Sequence, residues 1–496
     1  MEVTLNFDLY NFILLGICIF FIIFGLVFSK NEKSISSYLN ADRSIRSKSL
    51  TASIVASCFG VWILIGPSEA ATWGGIGAVV GYALGQACPY LAMNVFGKRL
   101  RSIMPQGNSL TQFVFARYGK TMLQVILLLS LFYMFIYLCA EVTAIAKVVQ
   151  LISGTDLWKT SLIILLSTLI YTLKGGLRIS ILTDKFQFII ILIFLFWIFY
   201  YLFLSGNINI DIDLITSKAS LLIDPKYFYG YTAGITFFIA VFATNLFDQG
   251  MWQRVFASKS MDDVEKGFKN SFFIVLPVIL LFGFCGIVAV SLDQAKDPST
   301  IIFSLLLSNG GMMFAVAILI LALTLVISSM DTLINAISSL IIIDGKKLFN
   351  FRSKLNYLNF SKLFIIILSV LVFFIASKGL SVLYMFLLAD LLCCAAVFPI
   401  FYGMFKRDIN GKIALLSVIT GLVGGLLFFP NLTFEKSILI GVLFDASLFP
   451  SWISTALLFW SFVVATILPI ITTLILRKQS IQFSFLIIKQ IIKDIK

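Results

Sequence analysis

The chain has no histidine among its 496 residues, and only 12% of it is Asp, Glu, Lys or Arg. The first absence removes the commonest general base, the commonest zinc ligand and the usual proton relay near neutral pH. No other nucleophile–base pair or metal cluster replaces it, so no catalytic residue is assigned and an enzyme is not expected. The second absence, with 60% hydrophobic residues and a mean hydropathy of +1.02, excludes an ordinary soluble globular composition. The seven cysteines, Cys18, Cys58, Cys88, Cys139, Cys285, Cys393 and Cys394, all fall inside apolar stretches. They suggest neither a disulfide framework nor a CxxC metal site. What is present is a series of apolar runs of bilayer length, predicting an all-α polytopic membrane protein.

The runs lie at about 10–29, 50–73, 75–97, 121–152, 160–173, 179–205, 229–247, 271–291, 310–343, 363–377, 380–404, 413–429 and 451–476, about thirteen spans. The first follows Glu2 and Asp8 with no Lys or Arg and lacks a small-x-small cleavage site, so it reads as a retained helix. The net charge of +13 raises the question of nucleic acid, but the distribution of Lys and Arg answers it. Alternate segments, 30–48, 98–120, 174–185, 254–269, 346–362, 406–412 and 477–496, hold 30 of the 37. The positive-inside rule makes these cytoplasmic, with the N-terminus outside and the C-terminus inside. No nucleic-acid partner is expected, and the lipid bilayer is. The tail 482–496, with Lys489, Lys493 and Lys496, reads as an amphipathic surface helix or a disordered end.

The stretch 321–347, LALTLVISSMDTLINAISSLIIIDGKK, is apolar enough to span a bilayer yet carries a polar stripe. At about 100° per residue, Thr324, Ser328, Asp331, Thr332, Asn335, Ser338 and Ser339 share a face, with Ser329 beside them. Such groups are costly in hydrocarbon, so the stripe must face a bundle, as helix-to-helix glue or as a cation site. The second span, TASIVASCFGVWILIGPSEAATWGG, carries Gly60, Gly66 and Pro67 in its middle and should kink or unwind there. Unwinding frees the carbonyls of residues such as Ala56 and Phe59, which is tolerated where they line a protein-buried or watered cavity. Hydroxyls and carbonyls together suit a hard cation such as Na+.

Five acids, Glu69, Glu141, Asp184, Asp331 and Asp390, lie in or at the ends of apolar spans and are each a site hypothesis. Glu141 is expected to pair with Lys147 or another span. Asp184 caps a helix or binds an ion, and Asp390 and Glu69 are expected to be hydrogen-bonded locally. In the segment DQGMWQRVFASKS, Trp252 reads as an interface-belt residue and Arg254 as a cytoplasmic anchor.

The kinked ASCFGVWILIGPSEA helix, the YTLKGGLRISILTDKFQ turn, the DQGMWQR segment and the ISSMDTLINAISSL helix together resemble the sodium:solute symporter family over about 35–425. The resemblance implies a LeuT-like inverted repeat of five plus five helices, here 50–205 and 229–404, separated by an external loop at 206–228. A leading helix and loop at 1–49, two trailing helices at 405–476 and a tail at 477–496 flank it. It places a Na+ site on the carbonyls of Ala56, Phe59 and Leu325 and the hydroxyls of Ser328 and Ser329, and a second Na+ position at Asp184. It lines the substrate pocket with Ser57, Cys58, Val61, Trp62, Ile63, Gln86, Thr244 and Asn245. The sugar branch has polar groups at the places of Cys58, Ile63 and Gln86; only Gln86 keeps that character, which disfavours a sugar.

RSIRSKSLTASIVAS, FDQGMWQR and LADLLCCAAVFPIFYG resemble the urea and polyamine branch more closely. The expected function is therefore Na+-coupled symport of a small polar organic solute (amino acid, urea or polyamine) by alternating access, in a plasma or bacterial inner membrane, as a monomer or weak oligomer. A solute sensor without net transport and a proton-coupled symporter are the alternatives.

Overall fold

The computed structural model describes residues 7–28, 35–205, 212–293, 297–348, 354–440, 450–481 and 483–492. Lys30, Lys33, Lys296, Lys493 and Lys496, residues 206–211 of the 206–228 loop and residues 482 and 493–496 of the tail lie outside the described residues. The chain runs through α1 (Phe7–Phe28), α2 (Ile35–Asn40), α3 (Ser47–Cys58), a 3-10 turn (Val61–Leu64), α4 (Gly66–Ile103), α5 (Leu110–Tyr118), α6 (Lys120–Ser153) and α7 (Leu157–Phe203). Then follow α8 (Ile212–Lys218), α9 (Ser220–Ile223), α10 (Phe228–Phe247), α11 (Gln249–Ala257), α12 (Met261–Ser291), α13 (Ile301–Leu348), α14 (Lys354–Ala376), α15 (Val382–Tyr402) and α16 (Gly411–Phe428). The chain closes with α17 (Ser451–Ser454), α18 (Leu457–Leu476) and α19 (Leu486–Ile491).

Among the described residues ten helices are long and apolar enough to cross a membrane, and Phe12–Val27 and Leu157–Leu173 are shorter apolar helices. The thirteen expected runs map onto these because two glycines bend continuous helices. Gly75 (φ 56°) divides α4 and Gly176 (φ 57°) divides α7, so runs separate in sequence follow one another without a loop. At Gly75 a Cβ would stand 2.1 Å from Leu222 O, so both the backbone angle and the close approach require glycine. Elsewhere the ends are set by capping side chains: Ser109, Asp248, Ser260, Ser381 and Asn410 each accept a backbone N–H of the helix they open.

The Lys- and Arg-rich segments gather at one end of the bundle. Arg43 donates to Gly107 O, Arg101 to Val255 O, Arg99 to Met404 O and Arg117 to Gly403 O and Lys406 O. Lys259 N–H bonds Ile45 O, and Thr111 bonds Asp344 near the end of α13. The tail comes to the same end, where the Arg117 guanidinium lies 4.3 Å from the Phe483 ring centre and that of Arg99 4.9 Å from Phe485. The six-residue helix α19 is thus pinned by cation–π contacts.

Candidate functional site

The second span breaks where its glycines predicted. After Cys58 the backbone leaves the helix at Phe59 (φ −77°, ψ 87°) and is extended at Gly60 (φ −83°, ψ 176°) before the 3-10 turn. Pro67 does not kink a helix interior as expected. It occupies the first turn of α4, where a missing N–H costs nothing. The break redirects three donors. Gly60 N–H bonds Cys58 O at 3.0 Å, Ile63 N–H bonds Gly60 O at 3.2 Å, and Val61 N–H bonds the Glu141 carboxylate at 2.9 Å. A continuous helix would have sent them to the carbonyls of Ala56, Phe59 and Ser57. These oxygens are relieved of their helical partners, and Ala56 and Phe59 are fully buried residues.

Glu141 on α6 is therefore not paired with Lys147. It is fully buried and holds the opening of the 3-10 turn. Gly60 makes room for it, since a Cβ there would lie 1.9 Å from Glu141 Oε1.

Facing the break is α13, which packs on α3 and on the 3-10 turn. Its polar stripe is wholly inside the protein: Thr324, Ser328, Ser329, Asp331, Thr332, Asn335, Ser338 and Ser339 are all buried. Ser328 donates to Asp184 Oδ1 at 2.9 Å and Ser329 to Val326 O at 3.1 Å; Leu325 is buried beside them. The oxygen-only donor set, neutral apart from the nearby carboxylates, fits a hard monovalent cation rather than a transition metal.

Asp184, on the second half of α7, accepts from Ser328, from Ser53 at 2.5 Å and from the Arg254 guanidinium at 3.0 Å. Arg254 is no surface anchor: it is 1% exposed and also donates to Ser53, Gly250 O and Thr332. Trp252, expected at the membrane interface, is fully buried, with Nε1 donating to Leu246 O at 2.8 Å. Both point into protein because the whole of this short helix, which follows the break at Asp248, is buried. Asp331 accepts from Asn335 at 2.8 Å and Thr183 at 3.3 Å. Glu69 Oε2 is buried and without a hydrogen-bond partner among the described residues.

Two adjoining cavities lie beside the break. The larger is lined by Trp62, Tyr82, Gln86, Tyr133, Tyr137, Val241, Thr244, Asn245, Phe386 and Asp390. The second is lined by Ile54, Ser57, Cys58, Gln86, Tyr90, Tyr137, Asn245, Asp248, Met251 and Arg254. Gln86 and Asn245 belong to both and exchange hydrogen bonds, Asn245 Nδ2 to Gln86 Oε1 at 3.0 Å and Gln86 Nε2 to Asn245 Oδ1 at 3.3 Å. Gln86 Nε2 also approaches Cys58 Sγ at 3.0 Å. Of the pocket residues named from the sequence, Trp62, Gln86, Thr244 and Asn245 line the first cavity and Ser57, Cys58, Gln86 and Asn245 the second. Val61 and Ile63 are fully buried and line neither.

Sequence reasoning passed over Tyr82, Tyr133, Tyr137, Phe386 and Asp248; Asp390 entered as one of the five acids, expected to be hydrogen-bonded to backbone or neighbouring polar groups, and it accepts from Thr244. The available signal was spacing: Tyr133 and Tyr137, like Phe386 and Asp390, stand four apart on a helix and so share a face.

The model of the sodium:solute symporter family matches residues 38–421. The spermidine transporter DUR31 of Candida albicans is 27% identical over 387 residues, 77% of this chain and 72% of that one. Among solved structures, a Na+-coupled sialic acid symporter in a substrate-bound outward-open state superposes with a TM-score of 0.73 at 16% identity, covering 96% of this chain and 99% of that one. A nucleobase-cation-symport-1 family transporter, closed with bromovinylhydantoin bound, gives 0.50 at 13% identity, covering 92% and 98%. The structural likeness establishes a LeuT-like fold. With a family match over well above half of its length, on a helical bundle whose broken second span faces a buried polar helix, this chain belongs to the sodium:solute symporter family.

Proposed function

We propose that the protein is a Na+-coupled symporter that imports a small polar organic solute of the amino acid, urea or polyamine class by alternating access. The observation that carries this reading is the diversion of the Gly60 and Ile63 N–H groups, which leaves the Ala56 and Phe59 carbonyls to a ligand beside Ser328, Ser329 and the Leu325 carbonyl. Broken helices in a membrane bundle put such oxygens where an ion is exchanged for its water. The solute is taken by the cavities around Trp62, Gln86, Thr244 and Asn245, with Ser57, Cys58, Val61 and Ile63 beside them. The relative named for spermidine transport lies within the solute class proposed.

Sodium bound at this site favours the state that binds solute, and linkage requires that solute favour the state that binds sodium. An inward-negative potential adds about 2.3 kcal/mol per charge per 100 mV. The Lys- and Arg-rich end is the cytoplasmic one, so the N-terminus is outside and the C-terminus inside, in a plasma or bacterial inner membrane, as a monomer or weak oligomer. A second Na+ at Asp184 is the finer part of the proposal. It requires Arg254 to withdraw, and the ratio of sodium to solute transported measures whether it does.

Uptake into proteoliposomes tests the reading. Ser328→Ala or Ser329→Ala raises the sodium concentration for half-maximal uptake by about 5- to 10-fold, as loss of one oxygen ligand or hydrogen bond predicts. Unchanged sodium dependence in both would overturn the site. Uptake driven by a pH gradient without sodium would favour proton coupling, and binding without accumulation the sensor reading.

A further inference from the structure

We infer that the solute taken by the larger cavity carries an ammonium group, held by Asp390 inside a wall of aromatic rings. The inference deepens the reading above and rests on it in so far as this cavity is the solute site. Asp390 is 5% exposed and lines the cavity, yet no Lys or Arg lies within ion-pair distance of it among the described residues. Its hydrogen-bond donor there is Thr244, at 2.7 Å from Oδ1. The same hydroxyl stands 2.9 Å from Ala240 O, and its single proton serves one acceptor at a time. A carboxylate removed from water with at most one neutral donor among the described residues is far from compensated, so the cavity favours a solute that brings positive charge.

The rings supply the second part of the recognition. Tyr82 stacks on Trp62 with centroids 5.8 Å apart, and Trp62 meets Phe386 edge-on at 6.3 Å. Phe386 meets Tyr137 edge-on at 5.1 Å, and Tyr137 lies 5.8 Å from Tyr133. Five rings from four parts of the fold thus form one connected wall on the cavity that contains the acid. Aromatic faces attract an alkylammonium ion through the ring quadrupole and cover its methylene groups at the same time.

Neutral and zwitterionic solutes fit less well. Urea offers no charge to offset Asp390. An amino acid brings a carboxylate of its own, and Arg254, the cation lining the adjoining cavity, already commits four of its five N–H groups to Ser53, Gly250 O, Asp184 and Thr332. The class the cavity takes is an aliphatic amine in its ammonium form, a diamine or polyamine included.

The test uses the full-length protein in liposomes and radiolabelled putrescine, competed by ammonium solutes (unlabelled putrescine, cadaverine), the neutral isostere 1,4-butanediol, urea and proline. The amines compete and the other three do not. Asp390→Asn weakens putrescine binding by about 10- to 100-fold, the loss of a charged hydrogen-bond partner. Tyr137→Leu weakens it by about 3- to 10-fold, and in both variants the sodium needed for thermal stabilisation stays as in the parent.

Equal competition by butanediol, urea or proline, or parental binding by Asp390→Asn, overturns the inference. If Asp390→Asn fails to fold, the competition series on the parent protein decides alone. Sodium-driven uptake of proline or urea without amine binding overturns this inference and leaves symport standing. Amine uptake indifferent to the sodium gradient overturns sodium coupling and leaves this inference standing.

Discussion

Asp184 and Asp390 carry the same side chain, and both are shut away from solvent, at 0% and 5% exposure. Their surroundings are opposite. Asp184 has a guanidinium at 3.0 Å and two serine hydroxyls, all contributed by the protein. Asp390 has one shared threonine hydroxyl and opens on a cavity walled by aromatic rings. Burial alone therefore does not say what an intramembrane acid is for. An acid whose charge is answered within the fold joins helices, and here Asp184 ties α7 to α3, α11 and α13. An acid whose charge is left unanswered waits for a ligand.

The comparison is broken most directly at Arg254. Arg254→Ala leaves the Asp184 carboxylate buried without its cation and should destabilise the protein by about 3 to 5 kcal/mol, seen as a large fall in the thermal unfolding midpoint in detergent. Arg254→Met combined with Asp184→Leu should recover most of that loss, because no buried charge then remains unpaired. A double variant as unstable as the single one would show that the pair is not a coupled unit.

Gly60→Ala is next in size. Its Cβ would enter the space of Glu141 Oε1 at 1.9 Å. Overpacking of this kind costs about 1 to 3 kcal/mol, and uptake should fall in parallel because the displaced group holds the 3-10 turn. Gly60→Ala combined with Glu141→Ala should regain stability without uptake, separating the space problem from the loss of the Val61 N–H acceptor.

The smallest effect should come from Asp390→Asn measured without solute. Removing an unanswered charge while keeping an acceptor for Thr244 should leave the unfolding midpoint within about 1 kcal/mol of the parent or raise it. A loss as large as that of Arg254→Ala would place Asp390 with Asp184 among the structural acids.

Much of this was legible in the chain. The break at Gly60 was readable because glycines in mid-span have local consequences, and the polar stripe of α13 because a 3.6-residue period shows which groups share a face. The readings that failed concern partners rather than faces. Of the two partners open to Glu141, Lys147 on its own helix or another span, only the fold selects the second, Val61 N–H, 80 residues away. Arg254 and Trp252 looked like interface residues because short basic and aromatic segments usually are, and the break at Asp248 turns them inward.

The sequence by itself determined the membrane-spanning character, the positions of the spans, the common end of the basic segments and the polar face of the 321–347 stretch. These depend on composition and on periodicity within one segment, whereas the oxygens proposed for sodium came from the family resemblance. Only the tertiary structure decided which buried acids are neutralised, since that depends on side chains such as Arg254 reaching Asp184 across 70 residues of chain. It also decided that Trp62, Tyr82, Tyr133, Tyr137 and Phe386 form one wall beside Asp390, because aromatic residues scattered over several helices have no shared period to reveal them.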